Sequence, residues 1–216
     1  MPRQIPISFE FFPTKTEEGT QKLLHVHQRL ATLNPAYFSV TYGAGGSTRE
    51  RTLSIVDQIQ QAAPIAVAPH LSCIGDNKSE IAELLHRYKN QGIKHLVALR
   101  GDLPSGQMGL GELPYARDLV EFVRQETGDH FHIEVAAYPE MHPQSYDFDG
   151  DVKNFIAKVN AGANSAITQF FFNADAYFYF VEKVRKAGVT IPIVPGIMPI
   201  TNASNLIRFA DGCGAD

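Results

Sequence analysis

The 216-residue chain contains no tryptophan and only two cysteines, Cys73 and Cys213. They form no CxxC or other ligand spacing, so neither a disulfide framework nor a structural metal site is expected. Basic residues are scattered: 19 Lys and Arg stand against 23 Asp and Glu, a net charge of −4. That balance excludes nucleic acid and membrane surfaces as first-choice partners. The longest apolar run, 191–200, is short and broken by prolines, which excludes a bilayer span. No secretory leader pattern opens the chain, and a reducing cytoplasm is the expected compartment. HExxH and GxSxG are absent, so a metal site and a serine nucleophile are not expected.

What is present is a globular pattern. Hydrophobic residues make up 44% and charged residues 19%, enough to build a substantial core. Short β-rich runs at 5–11, 37–42, 65–70, 95–99, 132–138, 166–171 and 191–194 alternate with amphipathic segments near 17–33, 48–62, 78–91, 115–126, 150–161 and 175–187. In the third of these, Ile81, Leu84, Leu85 and Tyr88 fall on one helical face. Gly92 and Gly188 stand where C-caps belong. Repeated strand–helix units predict a parallel sheet covered by helices. Between a doubly wound sheet and a (β/α)8 TIM-type barrel, the barrel is favoured. GxGxxG does not follow the first strand, and the 43–48 segment, glycine-rich with another spacing, reads as an ordinary turn. Polar residues also gather where strands end, at Glu10, Thr41, His70, Asp102, Tyr138, Glu140 and Gln169, the rim at which barrels place their chemistry.

Glu10 is the most informative of them. It lies in Ile7-Ser8-Phe9-Glu10-Phe11-Phe12-Pro13, an otherwise apolar strand that ends at a proline. Alternation points Phe9 and Phe11 one way and Ser8 and Glu10 the other. An interior carboxylate with its pKa raised by burial would serve as an acid near neutral pH; the competing reading is a strand-end carboxylate in a salt bridge. Arg100-Gly101-Asp102 follows an apolar strand directly. Arg100 would hold a phosphate or carboxylate in fork geometry, and Gly101 would let the backbone approach a ligand. The alternative is a local Arg–Asp ion pair. His70 reads as a structural histidine or a ligand. Ala136-Ala137-Tyr138-Pro139-Glu140 and Thr168-Gln169-Phe170-Phe171-Phe172 bring aromatics, an amide and room for a flat ligand, as a nitrogen heterocycle requires.

Taken together, these segments resemble the methylenetetrahydrofolate reductases of bacterial type. The resemblance is carried by Ser8-Phe9-Glu10-Phe11-Phe12-Pro13, Ser39-Val40-Thr41-Tyr42-Gly43-Ala44, Ala68-Pro69-His70-Leu71, Ala98-Leu99-Arg100-Gly101-Asp102-Leu103-Pro104, Ala136-Ala137-Tyr138-Pro139-Glu140, Gly162-Ala163-Asn164 and Ile167-Thr168-Gln169-Phe170-Phe171-Phe172, and it runs on through Pro195-Gly196-Ile197-Met198-Pro199. It implies a flavoprotein barrel in which FAD takes hydride from NADH or NADPH and passes it to methylenetetrahydrofolate, a step of one-carbon metabolism that feeds methionine synthesis. By the same resemblance Glu10 is the general acid and Asp102 tunes the flavin. Gln169 binds folate, and Tyr177 and Phe209 line the substrate or nicotinamide pocket. FAD contacts carry over to Thr41, His70, Arg100, Gly101, Asp102, Tyr115, Ala116, Tyr138, His142, Asp151, Asn154 and Lys158, while Ala157 stands where one basic contact is expected.

One barrel domain over 1–216 is expected, with seven strands evident. An eighth strand and the last helices of the family, with a folate-holding arginine, are not matched, and a barrel typically takes about 250 residues. Unpaired strand edges predict a homo-oligomer. Two other readings of the residues remain: another FAD barrel oxidoreductase, such as one oxidising proline, and a non-catalytic binder of flavin or folate. Nothing in the sequence discriminates NADH from NADPH.

Overall fold

The computed structural model describes residues 5–42, 46–101 and 111–215. The chain divides into two compact units, Met1–His132 and Ile133–Asp216. The first contains β1 (Phe9–Phe11), α1 (Glu17–Ala31), β2 (Tyr37–Val40), α2 (Gly46–Ala62), β3 (Ala66–Ser72), α3 (Lys78–Asn90), β4 (His95–Leu99) and α4 (Ala116–Thr127). The second is built from β5 (His132–Ala137), α5 (Phe148–Asn160), β6 (Ser165–Thr168), α6 (Ala174–Lys186), β7 (Ile193–Val194) and α7 (Ala203–Cys213).

In the first unit β1, β2, β3 and β4 pair in parallel and in chain order. In the second β5, β6 and β7 do the same. Sequential order is the winding of a (β/α) barrel; doubly wound sheets reverse direction beside their first strand. The fold class is therefore the α/β class read from the sequence, with seven strands among the described residues.

Each strand is held by the face its helices cover. Ile81, Leu84, Leu85 and Tyr88 of α3 are all buried, as their spacing predicts. Burial of side chains this size contributes roughly 1.5–3 kcal/mol apiece. Asn77 caps α3 by accepting from the Glu80 amide at 2.9 Å, and the Glu80 carboxylate accepts from the Asn77 amide at 3.0 Å. The reciprocal pair satisfies two amides that the first helical turn leaves open.

Several strands are shorter than their sequences suggest, β2 ending at Val40 and β7 starting at Ile193 among them. β1 starts at Phe9, because Pro6 has no amide to donate and Ile5 is 80% exposed. β6 stops at Thr168, whose hydroxyl accepts from the Gly196 amide at 2.9 Å. Gly196 packs so closely there that a Cβ would stand 2.2 Å from the Thr168 carbonyl oxygen. Of the 43–48 segment read as an ordinary turn, 43–45 lies outside the described residues, and from Gly46 onward the backbone is helical, opening α2.

Candidate active site

In the first unit, β1 presents Glu10 at its C-terminal end. Phe9 and Phe11 turn to the other face and pack on Phe38, with ring centroids at 6.0 and 5.6 Å. The register sets Glu10 beside Ser39 and Ser39 beside Ala68, so His70, two residues on, shares the Glu10 face. Ser39 Oγ donates to Glu10 Oε2 at 3.4 Å. His70 Nε2 lies 3.1 Å from the same oxygen, off the hydrogen-bond axis.

The exposure of this trio runs against the expectation for Glu10. The Glu10 side chain keeps 40% of its surface, whereas that of His70 keeps 8%. Partial burial pushes the Glu10 carboxyl up, but His70, by contact and by charge, and the Ser39 hydroxyl push it down harder. The net position is below the ordinary glutamate value. The interior acid with a raised pKa is therefore corrected. Phe9 and Phe11 bury the opposite face of a three-residue strand, and Glu10 faces a histidine instead of hydrocarbon.

Close by in chain order, the Thr41 amide donates to the Phe11 carbonyl at 2.9 Å, and the Thr41 carbonyl accepts from Thr52 Oγ1 at 3.0 Å. The Arg100 carbonyl accepts from Ser72 Oγ at 2.8 Å and from the Ile74 amide at 2.9 Å, and Arg100 Nε donates to the Gly101 carbonyl at 3.1 Å. Gly101 adopts φ +84°, and a Cβ there would stand 1.9 Å from Ser72 Oγ. Contact with β3 thus accounts for this glycine without any ligand. Asp102, and with it the Arg–Asp pair reading, lies outside the described residues. Tyr115 caps α4 and Ala116 opens it; the Tyr115 ring is exposed beneath the Arg117 guanidinium.

In the second unit, Tyr138 follows β5 and its ring meets the His142 ring edge-on at 4.5 Å. Buried Asp151, in the first turn of α5, accepts from the His142 amide at 3.0 Å through Oδ2 and from Ser145 Oγ at 2.9 Å through Oδ1. One turn before the end of that helix, Lys158 donates to the Ala136 carbonyl and reaches the Tyr138 ring face, 5.9 Å from its centroid. Burial lowers the Lys158 ammonium to about 8, although Asp151 pulls the other way. Gln169 follows β6, its amide donating to the Ala137 carbonyl at 2.8 Å. A shallow depression lies between Tyr138, Glu140, Met141, Gln169, Phe170 and Cys213.

The family model for Methylenetetrahydrofolate reductase matches residues 2–216. The chain belongs to that family. It is 46% identical over 208 residues to the 5,10-methylenetetrahydrofolate reductase of Salmonella typhimurium (strain LT2), an alignment covering 96% of this chain and 69% of that protein. Against Methylenetetrahydrofolate reductase (NADH) 1 of Arabidopsis thaliana it is 39% identical over 223 residues, covering 97% of this chain and 38% of that one. Among solved structures, an uncharacterized protein from Clostridium thermocellum that binds two copies of 5-methyl-5,6,7,8-tetrahydrofolic acid superposes with a TM-score of 0.65 at 16% identity, over 98% of this chain and 71% of that chain. A phosphonopyruvate hydrolase reaches the same TM-score at 12% identity, over 98% of this chain and 74% of that one. These two likenesses speak to the fold alone.

Of the residues carried over from the family, the structure brings Glu10 to His70, and Tyr138 to His142, Lys158 and Gln169. Others stand apart from any such group. Asn154 is exposed on α5 and Phe209 is 52% exposed on α7. Tyr177 stacks on Phe171 at 5.2 Å and gives its hydroxyl to the Ile193 carbonyl at 2.9 Å, so it also holds α6 against β7. Ser39 was not selected from the sequence. Its signal was a lone hydroxyl between Phe38 and Val40, both fully buried.

Proposed function

We propose that this chain catalyses flavin-dependent reduction of 5,10-methylenetetrahydrofolate to 5-methyltetrahydrofolate, with NADH or NADPH as donor in alternating half-reactions and the product feeding methionine synthesis. The observation that carries the reading is the Glu10 carboxylate at a strand's C-terminal end, contacted by His70 and Ser39, in a chain of this family. FAD is the implied cofactor, and the donor set fits it. Arg100 is a cation suited to its phosphates; Thr41, Tyr138 and the Gln169 side-chain amide suit a flat, polar-edged ring system. When bound, FAD supplies the acceptor for nicotinamide hydride and the donor to folate.

The chain's own residues do the rest. Glu10 delivers a proton to the folate's five-membered ring, so that a C–N bond opens and leaves an electrophilic carbon for hydride. Such proton delivery typically contributes about 10²–10⁴-fold. By the family resemblance, Gln169 binds the folate and Asp102 tunes the flavin. Asp151 and Lys158 hold the 138–145 segment and the Tyr138 ring in place.

The test is the visible spectrum of the purified chain after FAD loading. A flavin spectrum that bleaches with anaerobic NADH and returns on adding methylenetetrahydrofolate is the expected result. A chain that takes up no FAD, or bleaches without returning, overturns the reading.

A further inference from the structure

We propose that His70 is the proton reservoir for Glu10, and that Ser39 positions the carboxylate so that one oxygen, Oε2, faces both. Both act through Glu10 and are positioning residues. The inference rests on the reading above, in which Glu10 protonates the folate.

Three observations carry it. The residues lie on three adjacent strands in a register that turns all of them to one face. Two donors converge on the same carboxylate oxygen, at 3.1 Å from His70 and 3.4 Å from Ser39. Among the described residues no hydrogen bond engages Oε1. Exposure is also graded, since the side chain of Glu10 is 40% exposed and that of His70 only 8%. The imidazole is sealed, and the acceptor within its reach is the more exposed carboxylate.

The need for a reservoir follows from the chemistry. The groups that bear on Glu10 are His70 from β3 and Ser39 from β2, and together they hold it ionised at neutral pH. An ionised carboxylate has no proton to give. His70 is the donor nearest that carboxylate, and its present angle to Oε2 is of the kind that tightens when substrate binds. The Nε2–H proton passes to Glu10 and from Glu10 to the ring nitrogen. The C–N bond breaks with its electron pair moving onto that nitrogen, leaving the cation on carbon. The proton returns to His70 from solvent by way of Glu10, the more exposed member of the pair. No atom changes oxidation state in this step.

The test is an NMR titration of ¹³C-labelled glutamate carboxyls in the FAD-loaded chain, with Glu10 assigned by its loss in Glu10→Gln. Glu10 should titrate below the other exposed glutamates. His70→Gln should move it upward, Ser39→Ala should move it upward by less, and Ser39→Thr should restore it. Matching amide spectra certify that each variant is folded. In parallel, the folate half-reaction should fall by about 10²-fold in His70→Gln while flavin reduction by nicotinamide is unchanged. A Glu10 titration unmoved by His70→Gln, or a folate half-reaction that keeps its rate in that variant, overturns the proposal. A wild-type chain that shows the carboxyl shift yet reduces no folate overturns the reductase reading instead.

Discussion

The two units hold their carboxylates in opposite ways. In the first, Glu10 is held by two side-chain donors from neighbouring strands, one of them off-axis, and keeps 40% of its surface open. In the second, both oxygens of Asp151 accept well-formed bonds from its own loop, and the residue is buried. A carboxylate with an open oxygen can exchange a proton with a visitor; one whose oxygens are both engaged can only hold its neighbours. The first cluster is therefore arranged for chemistry and the second for shape, although both carry a carboxylate, a histidine and a serine.

The largest effect that would break this contrast is kinetic. Glu10→Gln keeps the size of the side chain and removes the titrating group. The folate half-reaction should fall by about 10²–10⁴-fold while flavin reduction by nicotinamide is unchanged. Thermal unfolding should barely move, because the carboxylate is exposed. Stopped-flow measurement of the two half-reactions separates these outcomes. A Glu10→Gln chain that reduces folate at the wild-type rate would end the division of labour proposed for the units.

The second unit should answer the other way round. Asp151→Ala leaves the His142 amide and the Ser145 hydroxyl without their acceptor. Both bonds are only part-buried, so the loss lies toward the low end of the ~1–3 kcal/mol that an unsatisfied buried group costs. For a chain of this size each kcal/mol lowers the melting temperature by about 2–4 °C. Nicotinamide and folate rates per bound flavin should change less than the melting point does. If the variant melts like the wild type but loses turnover, Asp151 is a chemical group and the contrast fails.

The sequence reached the strand–helix alternation and the strand-end ring because both follow from periodicity and punctuation. It could not rank its carboxylates. The argument that selected Glu10, a charge in an apolar strand, applies with more force to Glu134 in His132–Ala137. That residue is 2% exposed and accepts from Ser165 Oγ at 2.9 Å. Which of the two is buried depends on what covers each strand face, and local pattern does not carry that. Likewise, the pairing of Glu10 with His70 spans 60 positions and depends on two successive registers. Ser39 was hidden for the same reason. The strand pattern raised an acid role for Glu10, and the family resemblance supplied the substrate for it and the folate role of Gln169.

The smallest expected effect concerns Lys158, the one group of the second cluster whose titration should be visible in stability. Its ammonium is desolvated against the Tyr138 and Phe155 rings and lowered to about 8 in the folded chain. An unfolded lysine titrates near 10.4. Between those values the unfolded state holds a proton that the folded state has released, so this group makes stability rise with pH across the window. Below about pH 8 both states are protonated and the buried charge weighs against folding. Lys158→Met keeps the aliphatic stem and removes the charge. Urea unfolding from pH 7.5 to 10.5 should show the wild-type midpoint gaining on the variant as pH rises. The gap should be widest against the wild type at the low end, less whatever the lost bond to the Ala136 carbonyl contributes. A constant difference between the two chains across that range would mean that Lys158 is solvated, and that the second cluster is looser than its rings and hydrogen bonds make it.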